Sequence, residues 1–339
     1  MTRAFVTGVE GTLLSADERR FLADCAPWGL ILFRRNVESP EQLRRLTDDF
    51  RAAVGWNAPV LVDQEGGRVQ RLGPPHWRKY PSGALLARAA DAADDERLIV
   101  DVARLMAADL TAVGINVDCA PCLDLARPET TLAIGDRSYG GVPLDVVTAG
   151  RAFAAGLMAG GVLPVIKHIP GHGRATVDSH HDLPVVTEDI ETLRQTDFAP
   201  FYALADLPAA MTAHVVYTAI DPDLPSTLSP TVIGDIVRDH IGFNGLLFSD
   251  DLSMKALKGS LGDRASAVLA AGCDMPLYCA GNLGEMIEVA AAVPDLQGEG
   301  KRRAEAALAS IGAPEPFDAD DVVARLDEAL AAVTRSAES

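Results

Sequence analysis

The residues best suited to chemistry lie between Lys167 and Pro184, Lys-His-Ile-Pro-Gly-His-Gly-Arg-Ala-Thr-Val-Asp-Ser-His-His-Asp-Leu-Pro. Four of the chain's seven histidines fall here, with Asp178, Asp182, Arg174 and several Gly and Pro breakers. Histidine is the side chain whose ordinary pKa lies nearest neutrality, and loops at strand ends are where proteins place such groups. Lys167 adds to the pattern, because the chain has only five lysines and arginine supplies most of its positive charge. Asp178 and His180 are two residues apart, so in extended backbone they project to the same side and can pair. A carboxylate on one imidazole nitrogen fixes the tautomer and raises the basicity, which makes a proton shuttle that works near pH 7.

Other polar groups recur where short apolar runs end. Asp63, Arg71, Arg137, Lys167, His168, Asp178, His180, His214 and Asp250 would ring one pocket if those runs shared a sheet that closes. Asp250 stands where a strand end can aim a carboxylate at an electrophilic carbon. A nucleophilic carboxylate facing a separate acid/base is the arrangement of retaining glycoside hydrolysis, here with histidine in place of the usual second carboxylic acid. Arg71, Arg137 and Lys167 suit sugar hydroxyls or an anionic substituent, and Asp63 suits vicinal hydroxyls. His214 is placed between sugar contact and a strand-end histidine satisfied by backbone. His172, between glycines, is read as a loop brace, Asp124 as support for the pocket floor, Glu65 as support behind the ligand-contacting groups, and Arg34 and Arg35 as ion-pair partners on the rim. Asp251 is an alternative to Asp250. A different reading has His168, His172, Asp178, His180 and His181 hold a divalent metal for hydrolysis; chelator insensitivity would eliminate it. A sugar-binding module without turnover is the remaining class.

The elements that must position these groups alternate along the whole chain. Strands are expected at Ala4–Val9, Gly29–Phe33, Pro59–Val62, Ile115–Ala120, Gly161–Ile166, Ala209–His214, Gly245–Phe248 and Cys273–Cys279. Helices lie between them. Ser15-Ala16-Asp17-Glu18 has the form of a capping box, and Ser39-Pro40-Glu41-Gln42 supplies an N-cap, a proline at N1 and a glutamine at N3. A long alanine-rich helix is expected from about Asp91 to Val113, one from about Pro143 to Ala159, one from about Glu188, and two or three surface helices after Leu283. Nearly all-apolar strands, each followed by a helix, imply a parallel sheet covered on both faces. Eight is also the number that closes a (β/α)₈ barrel, which carries its chemistry on the loops after the strands. The expected architecture is a single α/β domain over 1–339, a (β/α)₈ barrel with extra C-terminal helices.

Composition narrows the partners. A formal net charge of −18 argues against nucleic acid and anionic membrane. No apolar run approaches the ~20 residues of a membrane span, and the N-terminus lacks a signal-peptide core, so a soluble cytoplasmic protein is expected. The five cysteines are scattered and odd in number, which fits reduced core thiols. Cys119 and Cys122 form a C-x-x-C at a strand end without a second pair at zinc spacing.

Several of these stretches together resemble the single-domain β-N-acetylhexosaminidases of glycoside hydrolase family 3. They are Lys167-His168-Ile169-Pro170-Gly171-His172-Gly173, Asp178-Ser179-His180, Ser249-Asp250-Asp251-Leu252-Ser253-Met254, Asp63–Arg71, Met211–His214 and Gly135–Ser138. The resemblance runs from about residue 5 to 280. It implies a (β/α)₈ barrel and retaining removal of terminal β-linked N-acetylglucosamine, with no cofactor and no metal. It also implies an amino-sugar oligosaccharide or muropeptide substrate from cytoplasmic cell-wall recycling. By position it makes Asp250 the nucleophile and His180 with Asp178 the acid/base on a mobile loop. Asp63, Arg71, Arg137, Lys167 and His168 would bind the sugar. A phosphorylase on the same scaffold is the alternative it leaves open. Departures are few: Cys122 stands where valine is usual, Ile169 where phenylalanine is common, Pro276 interrupts the eighth strand, and His181 adjoins His180.

Overall fold

The computed structural model describes residues 2–128, 130–177 and 182–338, with side chains through residue 335. The eight expected strands form one parallel sheet: β1 (Arg3–Thr7), β2 (Pro27–Leu32), β3 (Val60–Val62), β4 (Val117–Asp118), β5 in two pieces (Leu163–Pro164 and Ile166–Ile169), β6 (Ala209–Thr212), β7 (Leu246–Asp251) and β8 (Met275–Tyr278). Each pairs with its neighbour in sequence, and β1 pairs with β8 through Val6 and Leu277. Closure falls on β5. Its first piece pairs with β4 (Val117 with Leu163) and its second with β6 (Met211 with Lys167), so the two ends of the sheet are consecutive stretches of one strand. The protein is a (β/α)₈ barrel, as expected.

The strands are apolar because both of their faces are covered. Val6, Ile31, Leu61, Val117, Leu163, Val165, Ala209, Met211, Leu246, Phe248, Met275 and Leu277 fill the interior. Residues of opposite parity, such as Phe5, Leu30, Leu32, Val60 and Val62, pack under the helices. Those helices are α1 (Ala16–Cys25), α2 (Pro40–Val54), α3 (Gly83–Ala93), α4 (Leu98–Thr111), α5 (Pro143–Ala159), α6 (Ile190–Gln195), α7 (Ala199–Ala203), a wide-pitched π-helix (Val232–His240), α8 (Leu261–Ala271) and α9 (Leu283–Ala292). Two more follow, α10 (Gly298–Ala309) and α11 (Ala319–Glu338). Both expected caps form: Ser15 and Glu18 make a reciprocal box, and Ser39 accepts from the Gln42 N–H.

Three expectations are corrected. The helix drawn from Asp91 to Val113 is two helices, because Asp94 takes a left-handed conformation (φ 49°) that ends α3. Pro276 lies inside β8, whose flanking residues Met275 and Leu277 still pair with β7. The third concerns α10, a surface helix whose inner face does more than cover a neighbouring helix. Its Ala304 and Ala307 are buried and join the interior cluster that holds Trp28, so α10 stoppers the barrel at the end where the strands begin. The polar strand ends gather at the opposite end.

Candidate active site

Groups from six strand ends meet in a cavity of about 200 Å³ at the open end of the barrel, lined among others by Phe33, Asp63, Arg71, Arg137, Lys167, His168, Asp250 and Asp251. Ile31, Met211 and Leu277 form its apolar floor. The polar wall is built by ion pairing. Lys167 Nζ lies 2.7 Å from Asp63 Oδ1 and 2.6 Å from Glu65 Oε1, and Arg71 Nη2 donates to Asp63 Oδ2 at 2.9 Å. Arg137 grips Glu65 with two parallel bonds of 2.8 Å, from Nε and Nη2. Burial alone would raise the pKa of Asp63 and Glu65, but the facing cations win. Lys167 and Arg71 hold Asp63 well below the usual carboxylate range, and Arg137 with Lys167 brings Glu65 to about 2. Burial pulls the Lys167 ammonium down, yet Asp63 and Glu65 outweigh it and raise its pKa. Both carboxylates and the Lys167 ammonium stay charged at neutral pH, with donors and acceptors fixed before any ligand arrives.

A hairpin after β3, Gln64–Gly66 with Val69–Gln70, carries three of these groups. Gly66 is required there: its φ is +93°, and a Cβ would stand 2.1 Å from the Pro81 carbonyl oxygen. Gln64 is a buried clamp that sequence reasoning missed. Its amide oxygen accepts from the Arg71 and Leu72 N–H groups at 3.0 and 3.1 Å, and its amide nitrogen donates to the Leu72 carbonyl at 2.9 Å. That fixes the turn from which Arg71 reaches Asp63. The Gln64 N–H itself donates to Asp118 Oδ1 at 2.9 Å. Phe33 was also missed, although it ends an apolar run. Its ring lies beneath the Arg71 guanidinium, 5.4 Å from centroid to carbon.

Behind the wall, Asp124 collects four donors. Oδ2 lies 2.6 Å from His168 Nδ1 and 3.3 Å from Cys122 Sγ, and Oδ1 accepts from the backbone N–H groups of His172 (2.6 Å) and His168 (3.3 Å). Burial would raise its pKa; His168 more than offsets this and holds the group ionised. An ionised carboxylate only accepts, so His168 Nδ1 carries a proton, and in the neutral ring Nε2 is then an acceptor 3.4 Å from Arg137 Nη2. Asp124 thus supports the floor, as expected. Burial also lowers the pKa of His172 to about 4.

Asp250, at the end of β7, lines the cavity, and its Oδ1 accepts from the Asp251 N–H at 2.8 Å. The Asp251 carboxylate is committed to the Ser253 and Cys279 N–H groups, and burial raises its pKa. Two expectations are corrected. His214 does not reach the cavity: it is fully buried, with Nδ1 on Thr227 Oγ1 (2.8 Å) and Nε2 on the Asp251 carbonyl (3.1 Å), so both ring nitrogens are spent on holding β7. Among the described residues Arg34 and Arg35 bind carbonyls rather than carboxylates, Arg35 those of Val9 and Cys279 and Arg34 that of Val37. Asp178 and His180, with neighbouring His181, lie outside the described residues. The described flanks are anchored. Arg174 is paired with Asp197 and Glu188, and Val185–Val186 pairs with Val216–Tyr217.

A barrel with a strand-end carboxylate among fixed charged groups at its open end is an arrangement that glycoside hydrolysis can use. Comparison with known proteins agrees. Residues 8–310 match the profile described as "Glycosyl hydrolase family 3 N terminal domain". A β-hexosaminidase of Alkalilimnicola ehrlichii is 45% identical over 277 residues, 80% of this chain and 79% of its own. That of Idiomarina loihiensis is 38% identical over 308 residues, 90% and 92% of the two chains. Among solved structures, NagZ from Neisseria gonorrhoeae in complex with N-trifluoroacetyl-D-glucosamine superposes with a TM-score of 0.82 at 32% identity, covering 97% of this chain and 96% of that one. A family 3 β-N-acetylglucosaminidase from Paenibacillus gives 0.85 at 29% identity, over 96% of this chain and 66% of that longer one. The protein is a glycoside hydrolase. It belongs to glycosyl hydrolase family 3, among relatives named β-hexosaminidases.

Proposed function

We propose that this chain is a retaining exo-β-N-acetylglucosaminidase that removes terminal β-linked N-acetylglucosamine through a covalent glycosyl–Asp250 intermediate. The observation that carries this reading is the Asp250 carboxylate in the wall of a cavity whose polar lining includes Asp63, Arg71, Arg137, Lys167 and His168. In the first step an Asp250 oxygen forms a bond to the anomeric carbon as the glycosidic C–O bond breaks. His180, oriented by Asp178, gives its proton to the leaving oxygen. In the second step His180 takes a proton from water, whose oxygen displaces Asp250 and restores the carboxylate. Asp63 accepts from sugar hydroxyls, and Arg71, Arg137, Lys167 and His168 orient them. The modest cavity and its closed floor suit a single terminal sugar, hence exo action. The amino-sugar analogue in the Neisseria complex supports the sugar assignment.

We assign the natural substrate to muropeptides in cytoplasmic cell-wall recycling, on the family resemblance. Consistent with this, no helix among the described residues is long and apolar enough to cross a membrane. We read residues 1–339 as one catalytic unit that needs no cofactor. The test is release of 4-nitrophenol from its β-N-acetylglucosaminide, with and without inorganic phosphate. Asp250→Ala is expected to lose about 10⁴-fold or more in kcat. Retained turnover in that variant would remove Asp250 as nucleophile, and a glycosyl phosphate product would make the enzyme a phosphorylase.

A further inference from the structure

Beneath the cavity wall lies a cluster that the proposed reaction does not need in full. Cys122 Sγ, one Asp124 oxygen and His168 Nδ1 all lie within 4.8 Å of one another, and all three residues are buried. We propose that these residues form a binding site for a borderline or soft divalent cation, zinc above all, and that its occupancy inhibits the enzyme.

The donor set selects the ion. A thiol, an imidazole and a carboxylate suit zinc, while magnesium and calcium prefer oxygen alone. Distances support it. Tetrahedral zinc, with bonds of ~2.3 Å to sulfur and ~2.0 Å to nitrogen or oxygen, spaces its ligands by roughly 3.3–3.5 Å. Cys122 Sγ and Asp124 Oδ2 are already 3.3 Å apart. The 2.6 Å contact of His168 with Asp124 would open by roughly 0.7 Å. An independent mark is His172. Its ring is buried, 5.8 Å between centroids from that of His168, and its Nδ1 has no hydrogen-bond partner among the described residues. Buried polar atoms without partners are rare in folded proteins, and this one stands beside the cluster, outside the 4.8 Å that encloses the three donors. Thiolate and carboxylate together neutralise the cation, which a buried site demands. Cys122 supplies what the valine usual at this position in the resembling family cannot.

The protons balance. As the cation enters, Cys122 loses its thiol proton to solvent, and the single ring proton of His168 moves from Nδ1 to Nε2. Nε2 then ceases to be an acceptor and presents N–H toward Arg137 Nη2, donor against donor at 3.4 Å. The pair that faces the substrate is thereby driven apart, which is how a cation below the wall inhibits catalysis above it.

The test uses the full chain in metal-free buffer and reads binding separately from turnover. Titration with Co²⁺ is expected to raise a thiolate-to-cobalt charge-transfer band that saturates at one equivalent. In Cys122→Val the band should vanish, and the zinc concentration for half-inhibition should rise about tenfold or more. Cys119→Val, which removes the neighbouring thiol inside the barrel, should change neither. A wild-type protein without the band overturns the proposal, as does a Cys122→Val protein that keeps the band or the zinc sensitivity. Zinc-edge X-ray absorption on the wild type probes the site without any variant. One sulfur neighbour at ~2.3 Å is expected, and none would overturn the site.

Discussion

Lys167 Nζ stands 2.6 Å from Glu65 Oε1, and Glu65 carries Arg137 on the same carboxylate, so one buried anion holds two of the cations that line the cavity. Removing a single partner from a buried charge network leaves the others uncompensated. Glu65→Gln is expected to cost about 3 kcal/mol of stability, read as a lowered urea midpoint at unchanged m-value. It should also raise KM more than it lowers kcat. A variant as stable as the parent would show that Lys167 and Arg137 do not depend on Glu65.

Asp124 is expected to matter for rate as well as folding. Asp124→Asn keeps one acceptor oxygen but loses the ionised partner of His168 Nδ1. Loss of a charge-assisted hydrogen bond, about 1.5–3 kcal/mol, corresponds to roughly a ten- to hundredfold fall in kcat/KM. Steady-state kinetics beside a circular dichroism melt separates this from simple unfolding.

Two buried carboxylates give opposite pH signatures. Glu65 is lowered from 4.5 to about 2, so the folded state binds fewer protons than the unfolded one between those values. Its stabilisation is complete above about pH 5 and is lost as pH falls through that window. Asp118 runs the other way. Burial raises its pKa well above 3.8, and its Oδ2 has no partner among the described residues. The folded state therefore binds the extra proton, and the Asp118 contribution weakens as pH rises above about 4. Urea midpoints of Asp118→Asn relative to the parent should climb from pH 5 to pH 8. A pH-independent difference would refute the assignment of a neutral Asp118.

Gln64 joins stability to ligand binding. Gln64→Leu leaves the N–H groups of Arg71 and Leu72 without their acceptor, and about 3 kcal/mol should be lost. If Arg71 binds sugar, KM should rise in the same variant at temperatures where it remains folded. Calorimetry and kinetics on one preparation check both.

Much of the barrel was legible because its signals are local. An apolar run between turn residues, a Ser or Pro at a helix start and a glycine at its end depend on a few neighbouring residues. Asp63, Arg71, Arg137, Lys167, His168 and Asp250 stood out because strand ends are recognisable and charged groups there are conspicuous. His214 was misplaced because strand position alone does not say whether a ring turns to the cavity or to Thr227 and Asp251. Gln64 was overlooked because its neighbours in sequence are charged and more eye-catching, while its partners are backbone groups. The role of α10 was hidden in two alanines, which suit an exposed helix as well as a buried one.

What the sequence determined by itself was the alternation of strands and helices, the polar strand ends and the family. Periodicity and motif spacing are properties of the chain in one dimension. The fold alone decided which ends meet, which carboxylates stay charged and which imidazole came to lie beside Asp124. Those outcomes depend on distances between residues far apart in sequence and on burial, which strengthens every charge–charge contact that closure of the barrel creates.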